Sequence, residues 1–178
     1  MYLLTTGLYE NISALQNVEG LTLLYRAPKI ELGPLNIGTI ASDYQATFRL
    51  GDADALELAK KTWGYSFAFQ VLGYFRWEEA DDACKAEALS RQYLDEYAYE
   101  KIWAELSRGD RRVLYGIAQV HSGSIAEIRE LLNMTSNEFS PYRQRLMRKG
   151  VISGDERGYV RILLPFFDQY VLANYDLG

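Results

Sequence analysis

Apolar residues recur three and four positions apart through most of the chain, the signature of helices with one buried face. Before position 36 the pattern is different. Tyr2 to Thr6 is a short apolar run rich in β-formers, ended by Gly7, and Lys29-Ile30-Glu31-Leu32 alternates before Gly33-Pro34. These two stretches are predicted strands, with a helix from Leu8 to Val18 and a loop or short strand over Leu21–Tyr25 between them. Helices are then predicted over Ile37–Phe48, over Ala55–Trp63 with Asp52 or Asp54 as cap, and over Ser66–Trp77. A long helix follows from Ala83 to about Leu106, opened by Asp81-Asp82. Its aromatics, Tyr93, Tyr97 and Trp103, read as packing residues.

The last third is more regular. Asp110 is the expected cap of a helix over Arg111–Val120, and Ser124 of one over Ile125–Leu132. Asn133-Met134 makes the turn between this second helix and a third. Thr135 and Glu138 have capping-box spacing. Pro141 suggests that the helix proper starts there, with Ser140 as its cap, and runs to Lys149 before Gly150. Val151-Ile152, the turn residues Ser153 to Gly158 and Tyr159–Leu163 spell strand, turn, strand, and Phe166–Asn174 a final helix. Three helices and a hairpin in this order are the plan of a winged helix-turn-helix, whose last helix enters the DNA major groove. The expected architecture is therefore mainly α: a lid-like helical subdomain, then a winged helix-turn-helix, with a small β element at the N-terminus and a β wing. The divisions fall at 1–35, 36–106 and 107–178.

Charge sharpens this picture. The 178 residues carry a net charge of −5, but residues 1–100 hold 8 basic and 15 acidic side chains while residues 101–178 hold 11 and 9. The excess of bases gathers at Arg143–Lys149, which suits a polyanion. With Tyr142 and Leu146 facing inward, Gln144 and Arg148 point outward and Arg143 and Arg145 flank them; all four are expected on the DNA groove, with Lys149 and Arg157 on phosphates. Asp155 and Glu156 stand beside Arg157, and winged helices also serve as protein-docking modules. Both readings stay open: double-stranded DNA, or an acidic protein surface.

Little else in the chain carries chemistry. One cysteine, Cys84, and one histidine, His121, leave no zinc-ligand set of the usual kind and no disulfide. No apolar run is long enough to span a membrane and no signal-peptide pattern opens the chain, so a cytoplasmic location is expected. No carboxylate pair or nucleophile constellation stands out, so no catalytic residue is expected.

Three stretches resemble a bacterial family of AAA-type ATP-binding proteins, in which a P-loop ATPase core is followed by a helical lid and a winged helix. They are Gly64-Tyr-Ser-Phe-Ala-Phe-Gln70-Val-Leu-Gly73-Tyr74, Leu94-Asp95-Glu-Tyr-Ala-Tyr99, and the set Ser140-Pro-Tyr-Arg143, Leu146-Met-Arg-Lys149-Gly150-Val-Ile152, Gly158 and Pro165-Phe-Phe167-Asp168. The resemblance covers the back half of that family. It implies that Thr5 or Thr6 sits at the γ-phosphate sensor position, and that Gly64, Tyr65 and Ser66 form the lid turn beside a nucleotide. Ser66 stands where the family usually has proline. The chain has no Gly-x-x-x-x-Gly-Lys-[Ser/Thr] and no strand ending in Asp-Glu. ATP and Mg²⁺ are thus implied for a full-length parent, with no hydrolysis by this chain alone. The partners implied are DNA, an ATPase core or a neighbouring subunit. Residues 1–35 are expected to pair with each other or with a second copy, which would cover strand edges otherwise left open.

Overall fold

A computed structural model describes residues 32–176. The expected elements up to residue 31, including the strand that carries Thr5 and Thr6 and the pairing of N-terminal strands, lie outside the described residues. Residues 32–35 are exposed and in no strand.

Among the described residues the chain is mainly helical, with one two-stranded antiparallel sheet. Helix α1, Ile37–Phe48, is capped by Asn36, whose side chain accepts from Thr39 N at 3.0 Å. Helix α2, Asp52–Lys61, has Gly51 as its N-cap. Asp52 and Asp54 therefore stand in its first turn, where they favour the dipole, and neither is the cap that their sequence position suggested. The two helices bury Ile40, Tyr44, Ala55 and Ala59 against each other. Helix α3, Ser66–Glu78, follows a turn at Gly64, and Tyr44 donates from its hydroxyl to Phe69 O at 2.6 Å, tying α1 to α3.

Helix α4, Ala83–Leu94, is capped by Asp82, which accepts from Lys85 N at 2.9 Å. It does not run on as one α-helix to Leu106. Asp95–Tyr99 forms a π turn, and α5 then covers Glu100–Ala104. The π turn has a packing reason. Leu94 and Tyr99 are both fully buried. Five residues apart, they would sit well round an α-helix from each other, and the inserted residue returns Tyr99 to the inner face. There its hydroxyl donates to Pro165 O and its ring packs on Phe167 at 4.8 Å.

Helix α6, Arg108–Gln119, begins earlier than expected because Ser107, not Asp110, is its cap. Asp110 is the third helical residue and completes a capping box with Ser107. Helix α7 is Ile125–Leu131, capped by Ser124. Helix α8, Ser136–Arg148, is also continuous where a break was expected. Thr135 caps it in a box with Glu138, and Pro141 lies inside it. The amide that proline lacks would have bonded to the Asn137 carbonyl, on an exposed residue that water can satisfy.

Strands β1, Ile152–Ser153, and β2, Arg161–Ile162, pair antiparallel with Ile152 opposite Ile162. The chain ends in helix α9, Phe167–Asn174. One cluster of buried residues runs from Ala68, Val71 and Leu72 of α3 through Leu94 and Tyr99 to Leu114, Ile128, Leu146, Ile152, Phe167 and Val171. Helices α3 and α4 thus share a core with the last third, and the cluster crosses position 107 without a break. Among the described residues a second, small cluster lies between α1 and α2, with Phe69 of α3 packed against it.

Candidate functional site

Helix α8 has two unlike sides. Phe139 and Leu146 are buried, and Tyr142 is half-buried against α6. The contact with α6 is close: a Cβ added at Gly109 would collide with the Tyr142 ring. The other side shows Asn137, Pro141, Gln144 and Arg148, all exposed. Their spacing of four, three and four places them in one stripe along the helix.

The two flanking arginines are engaged within the fold. Arg145 Nε donates to both oxygens of Asp110, at 2.8 and 3.0 Å, and its guanidinium lies 5.2 Å from the Tyr142 ring centroid. Asp110 is only 2% exposed, and it also accepts from Ser107 N at 3.1 Å and from Ser107 Oγ at 2.6 Å. A single carboxylate therefore completes the capping box of α6 and pins α8 to it. Arg143 donates from a terminal nitrogen to Gly154 O at 3.3 Å, and an added Cβ at Gly154 would meet its guanidinium and the Met147 sulfur. Both interactions join residues far apart in sequence, Asp110 with Arg145 and Arg143 with Gly154. Helical spacing gave no sign of them; the half-apolar flank positions of the two arginines were the one available signal.

Gln144 and Arg148 remain exposed, Lys149 is half-buried at the end of α8, and Arg157 is exposed on the β1–β2 loop beside Asp155 and Glu156. Asn137, exposed one helical turn before Pro141, is a polar group that the sequence reading passed over because it placed the helix start at Ser140.

The hairpin is fixed to α7. Ile125 N donates to Gly158 O at 2.9 Å and Val160 N to Gly123 O at 2.9 Å. Asn133, with φ 49°, turns the chain between α7 and α8, a left-handed conformation that asparagine tolerates. Arg112 donates to Leu132 O at 2.5 Å and Arg129 Nε to Met134 O at 3.3 Å, so both arginines brace that turn.

Gly64, Tyr65 and Ser66 form the α2–α3 turn and line a cleft of about 1050 Å³. Its far wall includes Ile117, Val160 and Leu164, and Lys60, His121, Arg161 and Asp168 supply its charge and polarity. Gly64 has φ 76°, and a Cβ there would lie 2.6 Å from Leu35 O. Its carbonyl accepts from Leu35 N at 2.8 Å. The backbone of this turn is thus held by the chain's own residues 34–35. The Tyr65 phenol is pushed above its ordinary value by burial. No group of three or more metal-ligating side chains occurs among the described residues, and no helix there is long and apolar enough to cross a membrane.

No curated protein and no solved structure matches the chain. Residues 96–171, from within the π turn to within α9, are similar to a domain of unknown function, DUF8462.

Proposed function

We propose that the region from Ser107 to Leu164 is a winged helix-turn-helix that binds double-stranded DNA, and that the chain is the C-terminal regulatory part of an AAA-type ATPase. The observation that carries the DNA reading is the exposed stripe Asn137–Pro141–Gln144–Arg148 on α8. Amide side chains can bind adenine edges and a guanidinium can bind guanine, each with two hydrogen bonds. Lys149 and Arg157 flank the stripe and reach for phosphates. Arg143 and Arg145 serve the interface indirectly, by fixing α8 against the hairpin and α6.

The shared core gives the regulatory part of the proposal a physical form. Because α3 and α4 bury residues in the same cluster as α6 to α9, a displacement of α3 and α4 carries the DNA-binding helix with it as one body. The backbone of the Gly64 turn is already occupied by Leu35, so no step is assigned to a nucleotide on this chain.

The test is fluorescence anisotropy with a random duplex at two salt concentrations. The proposal expects micromolar binding that weakens steeply with salt, a salt slope reduced by about 1 in Arg157→Ala, and weaker binding in Arg148→Ala. Absence of binding at low salt, or unchanged affinity in Arg148→Ala, would contradict it. A second reading, docking on an ATPase core, is favoured by a different surface. Leu32 (92% exposed), Leu35 and Trp63 leave apolar groups open around the Gly64 turn.

A further inference from the structure

A second surface, on the other side of the molecule's charge balance, has a chemistry unlike that of α8. Helices α3 and α4 and the π turn carry an unbroken row of aromatic rings. Tyr74 meets Phe75 edge-on at 5.1 Å, Phe75 meets Tyr93 at 5.7 Å, and Tyr93 stacks on Tyr97 at 4.3 Å. Phe67 joins the row at Tyr93, 6.3 Å away. The row is anchored below by half-buried Phe67 and Phe75, but Tyr74 and Tyr97 are 58% and 57% exposed. Nothing about folding requires two large rings of one row to stay that open to water.

The charges along the row are mostly acidic, although exposed Lys101 follows Tyr97 by one turn. Residues 66–100 hold eight acidic and three basic side chains. Each of the three bases already has a partner within the fold, though the buried Arg91 Nε has none. Arg76 donates to the carbonyls of Glu79 and Ala80, Lys85 pairs with Glu79 at 2.9 Å, and Arg91 bonds Glu87 and Gln169. Glu78 follows Tyr74 by one helical turn, and both it and Glu96, next to Tyr97, are exposed. The Glu96 charge is felt at Tyr97, where it is the first cause holding the phenol above its ordinary value. Open π faces edged by exposed carboxylates attract guanidinium and ammonium groups. The same carboxylates repel nucleic-acid phosphates.

We propose that this row is a docking face for an arginine-bearing segment of a partner protein, whose guanidinium groups stack on Tyr74 and Tyr97 and pair with Glu78 and Glu96. The face is separate from α8 and does not depend on the DNA reading.

The test is binding of a fluorescein-labelled peptide of alternating arginine and glycine to the whole chain, with an alternating glutamate and glycine peptide as control. The substituted positions are exposed, so the variants keep their fold, which circular dichroism verifies. Saturable binding of the arginine peptide alone is expected. It should weaken about tenfold in the Tyr74→Ala/Tyr97→Ala double variant and stay within about twofold in Tyr97→Phe, as stacking on an open ring requires. Glu96→Gln should weaken it and reduce its dependence on salt, while Arg148→Ala should leave it unchanged. No binding up to about 1 mM peptide, equal binding by wild type and the double alanine variant, or a concentration-dependent dimer that the double variant abolishes, would overturn the proposal.

Discussion

Replacing Asp110 with alanine is the sharpest probe of how α8 is held. The carboxylate does two jobs. It completes the capping box at Ser107, and removing such a cap costs about 1 kcal/mol. It also takes two hydrogen bonds from Arg145 on α8. A charge-assisted bond of this kind contributes about 1.5–3 kcal/mol when its donor is left without a partner. The Arg145 side chain is 38% exposed, so after the substitution water can reach it and the lower end applies. The sum is about 2–3 kcal/mol. For a chain of this size that is a fall in Tm of about 5–10 °C, measurable by circular dichroism at 222 nm during heating. Arg145→Ala should cost at least as much, because it leaves a carboxylate that is 2% exposed without its cation. Arg148→Ala should leave Tm within about 1 °C. A drop of less than about 1 °C in Asp110→Ala would refute the reading of this carboxylate as the link between α6 and α8.

Three further outcomes are expected. Gly109→Ala should destabilise by about 1–3 kcal/mol despite alanine's better helix propensity, because the added methyl meets the Tyr142 ring; chemical denaturation measures it. Tyr99→Phe should cost about 1 kcal/mol through the lost bond to Pro165 O, with no change in secondary structure by circular dichroism. The Glu87 carboxyl is held below its ordinary value, first by its bond to Lys61, with Arg91 adding to the effect. A depressed carboxylate stabilises the fold above the unfolded value and loses that contribution as pH falls through the folded one. Glu87→Gln should therefore cost under about 1 kcal/mol near neutrality and make stability less sensitive to acid between about pH 5 and 3.

Helical periodicity and cap residues made much of the described architecture legible. Ile37–Phe48 is a helix with those bounds, and Ser124 caps α7 at Ile125. Errors arose where tertiary contacts overrule local rules. Pro141 reads as a helix start, but the Thr135–Glu138 box begins α8 earlier and solvent tolerates the proline. The π turn was illegible because it answers the need to bury Tyr99 beside Pro165, which is 66 residues away. The outward stripe of α8 follows from spacing once Tyr142 and Leu146 are set inward, so Gln144 and Arg148 could be picked out. The engagement of Arg145 could not, since its partner Asp110 was read as a cap and lies 35 positions earlier. Tyr93 and Tyr97 read as packing residues in the sequence; exposure alone distinguishes half-buried Phe75 from open Tyr74 and Tyr97.

The most direct test of the central claim is a ¹H–¹⁵N NMR titration of the chain with a random DNA duplex, following the side-chain amides of Asn137 and Gln144 and the Arg148 guanidinium. The account predicts that these signals shift together and saturably, while residues around Tyr74 and Tyr97 stay in place. Binding that shifts the aromatic row and leaves Asn137, Gln144 and Arg148 unmoved would contradict it.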